Sequence, residues 1–218
     1  MISPGETLEN PVTGEVIIFH RTSDQTNGEE VFIEVIVRPH GFVAAAHLHP
    51  YQTERFEVLE GKLGLRVDDE DLVATPGDVA VVTPRTVHRF WNAGEQDARF
   101  TVEVRPALQF ESLIETMFML AAEGKTNRKG MPNPLRLAVI ARAHFDTVRL
   151  PFPPAALQRA ALAVGAPLGK ALGYRETVTR QRPPSSAPRA HSRPVRTYDR
   201  GRPHEPAPAR RSPAESRR

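Results

Sequence analysis

Two histidines one residue apart, His47 and His49, followed by Glu54, are the residues of this chain best suited to chemistry. They lie in the stretch GFVAAAHLHPYQTERFEVLEG, residues 41–61, within an alternating apolar pattern. Residues i and i+2 of a strand point to the same face, so the two imidazoles project side by side. A carboxylate then follows after the turn-like HPYQT. Two imidazoles and a carboxylate converging on one point would form a site for a first-row metal. Taken alone, His47 and His49 read equally well as a pair of surface histidines. A second segment, GDVAVVTPRTVHRFWN, residues 77–92, shifts that balance. It places His88 in mid-strand, on one face with Phe90 and Asn92. Three histidines and one carboxylate are a full protein ligand set for a six-coordinate metal, with two positions open. The mixed nitrogen and oxygen donors suit a divalent transition metal: Fe, Mn, Ni, Co or Zn. Open positions would admit a substrate oxygen, water or dioxygen.

The elements that must position these residues are mostly strands. Residues 1–14 read as a leading loop, and 15–20 and 31–38 as strands joined across an Asn27-Gly28 turn. Further short strands follow at 62–67, 72–75, 79–82, 87–91 and 99–104, separated by turn residues. This regular spacing predicts an antiparallel sandwich or barrel. Near Ala107 the apolar period changes. Phe110, Leu113, Ile114, Met117, Phe118 and Ala121 recur at helical spacing, with Gly124 as the C-cap. A polar linker, GKTNRKGMPNP, precedes a second helix over about 135–145. Pro153-Pro154 opens a third, with Leu157, Ala160, Ala161 and Val164 on one side, broken up by Gly165, Pro167 and Gly169. From 176 onward prolines and arginines alternate with Ser and Ala and nothing periodic remains, which predicts a disordered tail.

Composition narrows the function classes. The 218 residues include no cysteine, which excludes disulfides, thiolate metal sites, iron–sulfur clusters and a cysteine nucleophile, and fits a cytoplasmic protein. No apolar run approaches a membrane span and the N-terminus lacks the pattern of a signal peptide. The net charge of +3 conceals an asymmetry, because the chain from Arg175 onward carries 12 arginines against Glu176, Asp199, Glu205 and Glu215. The preceding part is therefore mildly acidic, which argues against a nucleic-acid-binding face on the fold.

Gly41, His47, His49, Glu54 and Gly61 stand in the order and spacing of the first motif of the cupins, and Gly77, His88 and Asn92 hold their places in the second. The chain thus resembles the cupin family over roughly residues 30–106. Two positions depart from its pattern: Thr83 stands where proline is expected, with Pro84 one later, and Arg85 replaces a turn glycine. The helical part with its GKTNRKGMPNP linker is similar to the extension of a group of actinobacterial single-domain cupins. The resemblance implies a mainly β fold, a cupin jelly roll (double-stranded β-helix) over 1–106. A C-terminal α-helical extension over 107–175 and the disordered Pro/Arg-rich tail of 176–218 would follow. It also implies one divalent metal on His47, His49, Glu54 and His88, with no catalytic residue beyond these ligands. Phe56, Val58, Phe90 and Asn92 share the ligand face and would line the pocket or fill the barrel core. The expected function is that of a metal-dependent oxygenase or isomerase acting on a small organic molecule. The alternative is a non-catalytic metal-dependent binding or sensing module. Homodimerisation through the first strands is common among cupins and is a further expectation.

Overall fold

The structure, a computed structural model, describes residues 2–178. Nine strands come first: β1 (Thr7–Asn10), β2 (Glu15–Arg21), β3 (Val31–Val37), β4 (Thr53–Glu60), β5 (Leu63–Val67), β6 (Glu70–Ala74), β7 (Val79–Val82), β8 (His88–Asn92) and β9 (Ala98–Arg105). Three helices follow: α1 (Phe110–Ala122), α2 (Pro134–Ala143) and α3 (Ala155–Ala171). One sheet has the order β1-β2-β3-β9-β4-β7 and the other β6-β5-β8. Every named pairing is antiparallel, and the fold is a jelly roll. The sequence reads the short β1 as loop, because four residues beside Pro4-Gly5 are too few to show alternation. Asn27 and Gly28 both take positive φ in the β2–β3 connection, as an Asn-Gly turn requires.

Alternation sets the core. Ile17 and Phe19 of β2, Ile33 and Val35 of β3, and Phe56 and Val58 of β4 point inward. They meet Phe100 and Val102 of β9, with Leu63 and Leu65 of β5 from the other sheet. On the outer face of β3, Glu34 pairs with Arg99 of β9 at 2.6 Å and with His20 at 3.0 Å. Gly61 lets the chain cross tightly from β4 to β5. Its φ is 75°, and a Cβ there would come within 2.3 Å of the Asp97 carbonyl oxygen.

The helices pack onto this barrel, and two of their expected details differ. The second helix ends at Ala143, with His144 as C-cap, while Asn133 accepts the Arg136 amide at its start. The third is unbroken through Gly165, Pro167 and Gly169. Gly169 is a contact point: a Cβ would lie 2.6 Å from the Leu135 carbonyl oxygen and from Val139 Cγ2 of α2. Pro167, which cannot donate to the Ala163 carbonyl, is exposed, as is Ala163. The side of α3 that carries Leu157 and Val164 faces outward, and the buried side holds Ala166 and Gly169. Small residues, not the apolar stripe, make the helix–helix contact.

The expected tail begins within the described part. Glu176 pairs with Lys170, and the Val178 amide donates to Thr116 Oγ1 of α1. The remainder of the Pro/Arg-rich segment lies outside the described residues. Among the described residues no helix is long and apolar enough to cross a membrane.

Candidate metal centre

Backbone pairing brings the four residues together. The segment after β3 runs antiparallel to β8, with Phe42 opposite Trp91 and His47 opposite His88. The His47 amide donates to the His88 carbonyl at 3.0 Å and the His88 amide returns the bond at 2.8 Å. Between these pairs the segment bends at Ala44 and Ala45, so it forms bridges rather than a continuous strand. Leu48 pairs on its other side with Arg149, from the loop after α2. Glu54, near the start of β4, alternates inward with Phe56 and Val58.

The side chains form one cluster. A ligand atom from each of His47, His49, Glu54 and His88 lies within 4.8 Å of the others. His88 Nε2 is 2.7 Å from Glu54 Oε2, and His49 Nε2 is 3.4 Å from Glu54 Oε1. The four donors would reach one ion with bonds of about 2.0–2.2 Å after small adjustments. All but His47 are buried, and His47 is half-buried. Yet His49 Nε2 and Glu54 Oε2 have no partner of hydrogen-bond geometry. His49 Nε2, orphaned at the centre of a buried cluster, would cost about 1–3 kcal/mol, and an ion would satisfy it.

Each histidine is held through its other nitrogen. His47 Nδ1 donates to the Ala45 carbonyl at 2.9 Å, and His88 Nδ1 to the Thr86 carbonyl at 3.1 Å. His49 Nδ1 donates to the Thr147 carbonyl at 2.7 Å, with Gln52 Oε1 at 3.1 Å. Gln52 is itself fixed, since its amide nitrogen donates to the carbonyls of Pro106 and Ala107. These bonds select the tautomer that leaves every Nε2 facing the centre. Thr147 comes from beyond α2, so the helical part anchors a barrel histidine. Sequence reasoning left these partners unnamed, since main-chain carbonyls carry no side-chain signal.

The electrostatics give Glu54 and His47 the charge states a metal needs. Burial would lower His88, but the neighbouring Glu54 carboxylate outweighs it and holds the ring above the usual imidazole range, so a metal would displace its proton. Burial alone would raise the Glu54 carboxyl. The imidazoles of His49, His88 and His47 outweigh that and lower it to about 2. Burial, together with the charges of His88 and His49, lowers His47 to about 3. At neutral pH Glu54 is therefore an anion and His47 a neutral donor.

Beside the cluster lies a cavity of about 410 Å³, lined by His47, His49, the 43–45 backbone segment, and residues of α1, α2 and α3. Its wall is mostly apolar, including Leu113, Ile114, Met117, Leu137 and Leu162. Met117 and Phe118, read as core, are both core and cavity wall. Phe56, Val58 and Phe90 pack in the barrel core and are not part of the wall. Asn92 donates to the carbonyls of Val37 and Gln96 and accepts from the Gly94 amide, so it fastens a turn. Trp91 lies across Gly64 on the outer face of the smaller sheet, with Arg89 over its ring. The wall also holds Glu15 and Arg149, which the sequence did not single out. Glu15 reads as an ordinary polar residue at a strand start, and Arg149 as loop.

Arg85 occupies the turn where the family pattern has glycine, and takes φ 72°. Its amide donates to the His49 carbonyl at 2.8 Å, so the turn supports the cluster. The left-handed region costs a non-glycine residue about 1–2 kcal/mol, part of which glycine returns in unfolded-state entropy. Arg85→Gly should therefore stabilise the protein by about 0.5–1 kcal/mol, a rise of roughly 1–4 °C in Tm. Metal binding should be unchanged. A fall in Tm on thermal unfolding would show instead that the arginine side chain holds the turn.

Residues 33–104 match the family model described as a cupin domain. A stretch of 45 residues is 44% identical to Oxidoreductase OpS7 of Beauveria bassiana (strain ARSEF 2860), covering 20% of this chain and 15% of that protein. Among solved structures, the chain is similar to a predicted oxalate decarboxylase from Thermotoga maritima. There the identity is 18%, over 49% of this chain and 99% of that one, with a TM-score of 0.43. It is also similar to an RmlC-like cupin from Shewanella frigidimarina, at 20% identity over 49% and 88% of the two chains, with a TM-score of 0.42. The match of residues 33–104, on a jelly roll whose motif residues His47, His49, Glu54 and His88 form one cluster, supports placing this β-domain in the cupin superfamily.

Proposed function

We propose that the protein is a metal-dependent enzyme of the oxygenase or isomerase type, acting on a small organic molecule bound in the cavity beside His47 and His49. The observation that carries this reading is the directed cluster. Three imidazoles are locked through Nδ1 so that their Nε2 atoms and the Glu54 carboxylate converge, two of these atoms without a hydrogen-bond partner, next to an apolar chamber. A bound divalent transition metal would supply Lewis acidity, or redox chemistry for Fe or Mn, and open positions for a substrate oxygen. The chain's own part is positional. Its helices supply most of the chamber's apolar wall, and the carbonyls of Ala45, Thr86 and Thr147 hold the ligands in place. The likeness of a short stretch to an oxidoreductase points the same way.

A non-catalytic metal-dependent binding or sensing role is the second reading. It is favoured by the scarcity of acid–base groups: outside the cluster, Glu15 and Arg149 are the charged residues on the chamber wall. The deciding experiment loads the full chain separately with Fe(II), Mn(II), Ni(II), Co(II) and Zn(II) and follows oxygen uptake and product formation with catechols, flavonols and diketones. Turnover by at least one metal form is expected. Tight ligand binding with no turnover in any form would establish the second reading.

A further inference from the structure

The polar groups on the chamber wall away from the cluster are unequal. Asn10 Oδ1 already accepts from the amides of Val12 and Thr13. The Gln158 amide nitrogen donates to the carbonyls of Leu150 and Pro153. Arg149 donates to the Phe145 carbonyl and to Asp146, and its guanidinium lies 4.2 Å over the Phe145 ring. Glu15 is 4% exposed and uses one oxygen, which accepts from the Thr13 hydroxyl at 2.6 Å. Its other oxygen has no partner among the described residues. A buried carboxyl with a free oxygen on an apolar wall is a hydrogen-bonding point awaiting a ligand.

The chamber wall also carries Glu15 and the cluster histidines at separate points along the chain. The Phe42 amide donates to the Thr13 carbonyl at 3.0 Å, which sets the Thr13–Glu15 corner beside Phe42. From Phe42 to His47 the chain passes the cavity-lining residues Val43, Ala44 and Ala45, bending at Ala44 and Ala45. Five residues at about 3.3 Å each cap the distance from Phe42 to His47 at about 16 Å, and the bend shortens it.

We propose that the chamber takes an elongated, uncharged, largely apolar molecule, one end at the histidine cluster and the other bearing a hydroxyl or carbonyl oxygen that Glu15 binds. Glu15 is then a positioning and specificity residue: it sets which end of the molecule meets the cluster. The inference rests on the chamber being the substrate site. Burial raises the Glu15 carboxyl to about 7, against the smaller effect of the Thr13 hydroxyl, so near neutrality both its forms are present. The acid can donate to a carbonyl, and the anion can accept from a hydroxyl. A sugar or a phosphate ester would lose its hydration to a wall with few partners, whereas a long alcohol or ketone would not.

Calorimetric titration of the full chain with 1,10-decanediol, 1,4-butanediol and decanedioate tests this, with Ni²⁺ uptake followed separately by absorption. The long diol is expected to bind at least ten-fold tighter than either of the others. Glu15→Leu should weaken the diol about ten-fold, the worth of one hydrogen bond, while Ni²⁺ uptake is unchanged. Glu15→Gln should stay within about three-fold of wild type, and Ile114→Trp, which fills the chamber from α1, should abolish diol binding. Tighter binding of decanedioate or butanediol, or an unchanged diol affinity in folded Glu15→Leu, would overturn the proposal. Diol binding by a chain that takes up no Ni²⁺ would support the chamber inference while removing the metal reading.

Discussion

His88→Ala, purified beside the wild type and loaded with Ni²⁺ or Zn²⁺, should retain almost no metal while the barrel stays folded. His88 is 1% exposed, its Nε2 is 2.7 Å from Glu54, and its backbone bonds to His47 are made by main-chain atoms that alanine keeps. The substitution therefore removes a ligand without removing the strand pairing that aligns the others. His47→Ala and His49→Ala should behave alike, each leaving two imidazoles and one carboxylate. Gln52→Leu is the graded comparison. It leaves all four ligands but removes one of the two acceptors of His49 Nδ1, and loss of such a partner typically weakens metal binding about 10- to 100-fold. Elemental analysis gives the metal per chain and circular dichroism the fold. Full occupancy in all three histidine variants would sink the site. A Gln52→Leu loss as complete as that of His88→Ala would mean that Gln52 holds the loop as a whole rather than one ring.

The ligands were legible because a strand's period of two is short. His47, His49 and His88, and Glu54 with Phe56 and Val58, declare their common face within a few residues. The cavity was not legible, since it depends on where α1, α2 and α3 settle against the barrel, and no local pattern encodes that. Thr147 shows the difficulty: it anchors His49 from 98 residues away, through a carbonyl that every residue has. The third helix misled for a related reason. Gly165, Pro167 and Gly169 read as breakers by propensity, but tertiary contact with Leu135 and Val139 makes the glycines fitting rather than disruptive. Arg85 was legible as a departure from the glycine pattern. Its positive φ shows that the turn kept its shape and absorbed the strain.

Glu15→Gln should change the pH dependence of stability more than any other single substitution outside the cluster. In the unfolded chain this carboxyl titrates near 4.5, while in the folded protein burial raises it to about 7. Between those values the native state holds a proton that the unfolded state has released, so stability falls as pH rises from about 4.5 to about 7. Below that window the contribution is fully present, and above it the loss is complete. At 1.36 kcal/mol per unit, the loss reaches at most about 3 kcal/mol. Glutamine keeps an oxygen for the Thr13 hydroxyl and cannot ionise. The variant should match wild type near pH 4.5 and exceed it by up to about 3 kcal/mol at pH 8 in urea unfolding. The charged and titratable neighbours on the chamber wall, His47, His49 and Arg149, are identical in the two proteins. The difference between their profiles therefore isolates Glu15 to first order. Parallel profiles from pH 4.5 to 8 would show that the carboxyl is hydrated in the folded state. A divergent pair would mean that the fold tolerates a destabilising carboxyl on an apolar wall. Since glutamine there would be more stable, that tolerance fits a group kept for what it binds rather than for what it holds together.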